Sequence, residues 1–291
     1  MATTPYINGL TIKPNSVSTL GVVTFTDGTN NITPNQSQCE AYGYTYDIAS
    51  GTCSSFRFNT NLERNISNIN NKFNGAGNST QLGSNTIQIN GTDNTTRGFN
   101  NNCLINGSAN EIANGVSNAV VFGTNGIART EGEFTIGGGK GSLSDADVAT
   151  FISRRKTSTI ELSGVTTGNT ATNLTVQGDG STYINIEANS IIGYDIYITR
   201  LELGGSAGTA GNYSYRNIRG AVKIDRLGVM SFVVGFNRNI AKIGINATCI
   251  MADSTTGGVP SISVNVQDRA NVNNLWSASV TLHEVVSATT F

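Results

Sequence analysis

The sequence predicts an all-β chain: a small N-terminal β module, a short coiled-coil neck, a β-roll or β-solenoid stalk and a jelly-roll-like C-terminal β-sandwich knob. Three observations predict it. The chain holds 34 Gly in 291 residues, only 13% of which are charged, a composition that favours short strands joined by turns. Glycines recur in a fixed register through residues 75–139. The second half alternates apolar runs with Gly, Asn and Asp turns, the pattern of sandwiches and jelly rolls.

Composition also excludes. Polar, Gly-rich chains often stay disordered, but the net charge of −1 and the many Ile, Val, Phe and Tyr residues argue for packed cores. A near-neutral chain has no electrostatic footprint for nucleic acid. Met1 to Leu20 lacks a basic start and a continuous apolar run, and no window approaches the ~18 apolar residues of a spanning helix. No membrane insertion is expected, and synthesis in the cytoplasm of the producing cell is.

Residues 1–58 read as the N-terminal β module, with strands at Tyr6–Ile12 and Leu20–Phe25 and a turn at Asp27-Gly28. Cys39 and Cys53 bracket CEAYGYTYDIASGTC, whose alternating tyrosines and Ala49-Ser50-Gly51 turn suggest a hairpin that a disulfide would close. Two reduced thiols are the alternative for an intracellular product. Cys103 and Cys249 lie in apolar runs and read as buried thiols.

Residues 59–74 carry Leu62, Ile66, Ile69 and Phe73 at the a/d spacing of a coiled coil, so these four are the expected core of a trimeric neck. One amphipathic helix packed on a neighbouring domain is the other reading. Residues 75–140 are periodic: Gly75, Gly91, Gly107, Gly123 and Gly139 recur every 16 residues, with Ile89, Ile105 and Val121 two residues before three of them. Gly83 and Gly115 mark a second corner, while the repeat at Phe99 is displaced to Gly98. Such a repeat predicts coils stacked along an axis, apolar strands inward and Gly at corners where positive φ is tolerated. A β-meander with Asn-Gly hairpins is the competing reading. Residues 141–157 read as a linker with a short helix capped by Ser144 and opened by Asp145 and Asp147.

In residues 158–291, strands are expected at Ser158–Leu162, Ala171–Gln177, Thr182–Ile186, Ile191–Leu203, Tyr213–Asp225, Val229–Val234, Ala241–Ala252, Ser261–Gln267 and Trp276–Glu284.

The segment SNAVVFGTNGIA, Ser117 to Ala128, resembles the head repeats of trimeric autotransporter adhesins and related repeats of bacteriophage fibres. That resemblance spans residues 82–139 and implies three chains winding side by side about a threefold axis. The absence of an export signal and of a membrane anchor from the sequence favours the phage setting. The C-terminal runs VQGDGSTYINIEANSIIGYDIYITRLELGG, YRNIRGAVKIDRLGVM and SISVNVQDRANVNNLWSASVTLHEV resemble the C-terminal β-domains of tailed-phage structural proteins. The resemblance implies a homotrimeric fibre or spike on the virion surface. Its partners would be other virion proteins, met through residues 1–58, and a host surface glycan or protein. A capsid or neck decoration, a bacterial surface adhesin and a glycan-depolymerising tailspike are the alternatives.

The chemistry-bearing motifs are sparse. GGGKGS, Gly137 to Ser142, lacks Walker spacing and reads as a turn. QGDGST, Gln177 to Thr182, has too few acidic oxygens for a calcium loop. His283 is the one histidine and sits in an alternating strand, so a structural role is expected. A Ser-Lys pair needs no histidine and stays open. For carbohydrate cleavage the candidate carboxylates are Glu131 with Glu133, which would share a strand face, and Asp93 and Glu111. With 19 Asp and Glu in all, the expectation is a chain that is not an enzyme and holds no cofactor or metal. Tyr213 and Tyr215 are candidate receptor contacts, Trp276 a core or trimer-interface residue, and Arg154 and Arg155 solvated or inter-subunit.

Overall fold

The computed structural model describes residues 4–19, 21–48, 50–55, 71–81, 83–141 and 153–287. It is all-β, with one six-residue helix among the described residues. The chain divides into two units, Met1–Ile66 and Ser67–Phe291.

In the first unit β1 (Lys13–Val17), β2 (Val23–Thr26) and β3 (Asn31–Ile32) form an antiparallel sheet. Helix α1 (Gln36–Ala41) follows, then the hairpin β4 (Thr45–Asp47) and β5 (Thr52–Ser54). The strand expected at Tyr6–Ile12 is absent: Gly9 takes φ +89° and Leu10 N–H bonds back to Ile7 O, a turn that breaks extension. Asn35 and Gln38 form a reciprocal capping box that starts α1. A disulfide joins Cys39, on the helix, to Cys53, on β5. Both sulfurs sit in a core with Ile12, Val23 and Phe25, the last edge-on to Tyr42 and Tyr44. So small a core leans on its cross-link. Cys39→Ser is expected to lower this unit's stability by about 3 kcal/mol, the loop-closure value for a separation of 14 residues. Urea titration followed by tyrosine fluorescence, with and without reductant, measures it.

The second unit opens with a parallel β-solenoid of about four turns. One face stacks β6 (Lys72–Asn74), β8 (Asn85–Thr92), β10 (Asn101–Ser108), β12 (Val120–Thr124) and β14 (Phe134–Gly141). The other stacks β7 (Ser79–Thr80), β9 (Thr95–Thr96), β11 (Glu111–Ile112) and β13 (Ile127–Ala128). Register follows the repeat: Ile89 pairs with Ile105, Ile105 with Val121, Gly91 with Gly107 and Gly107 with Gly123. Ile87, Ile89, Cys103, Ile105, Ala119 and Val121 fill the interior. An asparagine ladder runs along the axis. Asn78, Asn94 and Asn110 each donate Nδ2–H to a glycine carbonyl 13 residues on, at 2.7–2.9 Å, and accept a backbone N–H 16 residues on. The amides thereby satisfy polar groups that burial would otherwise leave unpaired.

Two expected placements are corrected. Phe73 is not in a neck helix; it lies in β6, paired with Ile89 and packed on the solenoid core, because it stands one repeat before the Ile89–Ile105–Val121 column. Leu62, Ile66 and Ile69 lie outside the described residues. The residue stacked on Gly123 is Gly137, not Gly139. The turn Arg129–Glu133 is tight, with Arg129 and Thr130 N–H both donating to the Glu133 carboxylate, so the last coil is two residues shorter. Gly139, at φ +86°, falls instead in the bulge between Gly137 and Lys140.

β15 (Ser153–Thr166) begins within the expected linker and pairs antiparallel with β14. Gly141 closes β14, and residues 142–152, with Ser144, Asp145 and Asp147, lie outside the described residues. β16 (Thr172–Asn173), β17 (Thr175–Val176), β18 (Ile184–Asn185), β19 (Ser190–Gly204), β20 (Tyr213–Ile224), β21 (Met230–Ile243), β22 (Thr248–Asp253), β23 (Ser261–Gln267) and β24 (Asn273–Val286) complete the chain. The order β21-β20-β19-β24-β15-β14 makes one sheet continuous with the solenoid face. A second sheet, β16-β23-β18 with β22 on β23, shares a core with it that includes Ile196, Ile218, Val264, Trp276 and Val280.

Candidate functional site

The solenoid's side corners position the first candidate surface. Columns one repeat apart take positive φ, and in this stalk the non-glycine residues at such corners are Thr86, Asp93, Asn102, Ala109, Asn118 and Asn125, all small or polar, plus Phe99. Phe99 stands between Gly83 (φ +92°) and Gly115 (φ +75°) in one column and takes φ +45°. For a bulky side chain this is an outlier, with a cost of order 1–3 kcal/mol. Its ring lies over Gly83, where an added Cβ would come within 2.8 Å of it, and it is 70% exposed. Beside it opens a cleft of about 620 Å³ lined by Gln81, Arg97, Phe99, Glu111, Ala113 and Asn114. Arg97 Nε and Nη2 donate to the two Glu111 oxygens at 3.1 and 3.3 Å, a two-pronged pair that fixes both side chains. The hydrogen bond and charge of Glu111 hold the Arg97 pKa above its ordinary value.

The second candidate is a buried ionic cluster where the solenoid meets the C-terminal sheet. Lys156 Nζ lies 2.7 Å from Glu133 Oε1, 2.9 Å from Ile127 O and 3.5 Å from Glu284 Oε2. Arg129 Nη1 donates to Glu284 Oε1 at 3.1 Å, and Arg129 also pairs with Glu187. Burial raises the Glu133 pKa, but the charge and hydrogen bond of Lys156, with the Arg129 N–H and Thr135 hydroxyl, outweigh it and hold the carboxyl below its ordinary value. Burial pushes the half-buried Arg154 guanidinium down. The cluster is closed to a substrate, since the cavity beside it measures only about 10 Å³.

The third is an open groove of about 1040 Å³ by Val165, Leu201, Leu275, Gln177 and Tyr183. It lies on a row of cross-strand neighbours, Ile243–Tyr213–Leu201–Leu275–Val165, spanning β21, β20, β19, β24 and β15. All five are 39–56% exposed.

Among the expected carboxylates, Glu131 and Glu133 do not share a strand face. The tight turn sends Glu133 into the cluster, while Glu131 accepts a 3.3 Å bond from Asn118 outside. Asp93 is an exposed corner residue. Asp179 spends its carboxylate on its own loop: burial raises its pKa, but the Thr182 hydroxyl, the Ser181 and Thr182 N–H at 2.9 Å each and the Ser181 hydroxyl outweigh it and drive the pKa far down. No group of three or more metal-ligating side chains occurs among the described residues. His283 is exposed on β24, 3.3 Å from the Thr157 hydroxyl. Trp276 is in the core with Nε1 on Thr166. Tyr215 stacks on Tyr197 at 5.8 Å. No described helix is long and apolar enough to cross a membrane.

Sequence reasoning missed Lys156, Arg129 and Glu284, which are 155 residues apart at the extreme. It noticed the imperfect repeat at Phe99 without reading it; the signal was an aromatic at a corner that both neighbouring coils give to glycine.

No family model and no curated protein matches the chain. Among solved structures it is similar to the tailspike protein of Acinetobacter baumannii phage AM24, at 8% identity and a TM-score of 0.23 over 73% of this chain and 49% of that one. It is similar also to a tailspike of A. baumannii bacteriophage Fri1, at 8% identity and a TM-score of 0.22 over 72% and 46%. The chain thus spans about half the length of each. The Fri1 protein is described as a capsular polysaccharide depolymerase, and on that finding the expectation that this chain is not an enzyme is withdrawn.

Proposed function

We propose that this chain is a subunit of a homotrimeric fibre or spike on the outside of a tailed-phage virion, contributing to host attachment through a surface glycan. Residues 1–58 are the proposed virion-attachment module, the segment 59–71 before β6 the proposed neck, and the C-terminal sheets the proposed β-sandwich knob. The reading rests on the sequence resemblances of residues 82–139 and 158–291 to phage fibre proteins. One structural observation carries the assembly: the exposed row Ile243–Tyr213–Leu201–Leu275–Val165 runs to the edge strand β21, which also exposes Val233, Val234, Phe236 and Ile240. An apolar patch and a long apolar edge of this kind are covered in a working protein. Further copies of the same chain about one axis cover them without a second gene product.

Light scattering of the purified protein is expected to give three times the 30.5 kDa chain mass. Leu201→Lys with Leu275→Lys is expected to shift that mass towards the monomer while far-UV circular dichroism is retained. A monomeric wild-type chain overturns the trimer. Incubating the trimer with host capsular polysaccharide, read by binding and by reducing-end release, tests the attachment reading and any cleavage.

A further inference from the structure

The geometry points to a pyranose-binding subsite on the stalk, built by Phe99 with Gln81, Arg97, Glu111 and Asn114. This deepens the glycan-partner reading above and rests on it. The first ground is the misplaced aromatic. The corner column Gly83–Phe99–Gly115 calls for positive φ, which glycine meets without strain, and two of its three coils use glycine. Phe99 takes the same conformation with a bulky side chain and buries little in return, being 70% exposed. A residue that breaks a local rule without a packing gain marks a functional position.

The second ground is the shape around the ring. Gly83 gives the ring a flat seat. Gly115, with nothing within 4 Å of its would-be Cβ, leaves the coil on the other side clear. An aromatic face is electron-rich and takes the polarised C–H face of a sugar ring.

The third ground is the rim. Arg97 and Glu111 are locked together at 3.1 Å, so planar donors and acceptors are preset beside the ring, with the amides of Gln81 and Asn114 completing the cleft. Hydroxyls in the plane of a pyranose need such fixed, mixed donors and acceptors, whereas an apolar partner would leave them unpaired. The depression beside the ring is shallow and open, so it would hold a sugar ring lying on the surface rather than an enclosed ligand.

The test uses the full-length protein and an array of bacterial capsular and O-antigen polysaccharides, with titration calorimetry on the best binder. Phe99→Gly is the decisive variant, because glycine suits the corner. It is expected to keep or raise the melting temperature while weakening polysaccharide binding by roughly tenfold or more, as for an aromatic hot spot. Glu111→Gln is expected to weaken it less, and Arg226→Ala, in the exposed turn after β20, to leave it unchanged. If wild type binds a polysaccharide and Phe99→Gly binds equally well, the subsite is overturned and the glycan partner stands. If Phe99→Gly instead lowers the melting temperature, the residue is structural and the proposal falls. A wild type that binds nothing on the array overturns both readings.

Discussion

Gly107→Ala is expected to abolish the folded stalk, with a cost above about 4 kcal/mol, in the range that single substitutions reach only by a named steric or burial fault. The added Cβ would sit 1.9 Å from the Gly123 carbonyl oxygen and 2.9 Å from Asn110 Nδ2, at φ +139°. Gly123 is held from the next coil and Asn110 from the axial ladder, so neither moves without breaking register above and below. Stacked coils depend on their neighbours, so the damage spreads along the repeat. Gly115→Ala is the control. It also has positive φ, +75°, but nothing lies within 4 Å, so only backbone strain of about 1 kcal/mol remains. Thermal unfolding by circular dichroism distinguishes the two: equal midpoints would show that close stacking is not what fixes the glycine column.

Lys156→Met is expected to cost about 3–5 kcal/mol, because it leaves Glu133 buried without its cation and removes one of the two that face Glu284. Adding Glu133→Gln should recover much of the loss, since Glu284 keeps Arg129. The pH dependence has a definite sign. The Glu133 pKa is lowered on folding, so its contribution is complete above its ordinary value of 4.5 and fades as pH falls through the lower folded value. The gap between wild type and Lys156→Met should therefore narrow in acid. Urea unfolding at neutral pH and below pH 4 measures it, and a gap that widens in acid would show that Glu133 is not the partner Lys156 neutralises.

Much of the fold was legible because its repeat is local. Ile89, Ile105, Val121 and the glycines two residues after them meet at a constant offset, so periodicity alone placed each set in one column. Some C-terminal strands were readable from alternation, and Ser261–Gln267 is found as expected, but the strand expected at Ala241–Ala252 is divided at Gly244 (φ +94°) between the end of β21 and β22. The strand expected at Val229–Val234 runs on to Ile243 because it pairs along the whole of β20, which its Asn-rich second half does not announce. The site was less legible. Glu133 looked like half of a surface carboxylate pair, and only a turn two residues shorter than the repeat turned it inward to Lys156.

The sequence by itself determined the strand class, the period of the stalk and the residue types that its corners accept, because each follows from backbone sterics and contacts one coil away. Tertiary structure alone decided the rest. It put Gly137 under Gly123, drew Phe73 into the stalk, brought Arg129 to Glu284, and left Phe99 and the Leu201–Leu275 row facing outward. The physical reason is that these outcomes depend on which distant strands pair, notably β14 with β15 and β15 with β24. Pairing between remote segments is chosen by the summed burial of whole faces, which no short stretch of sequence contains.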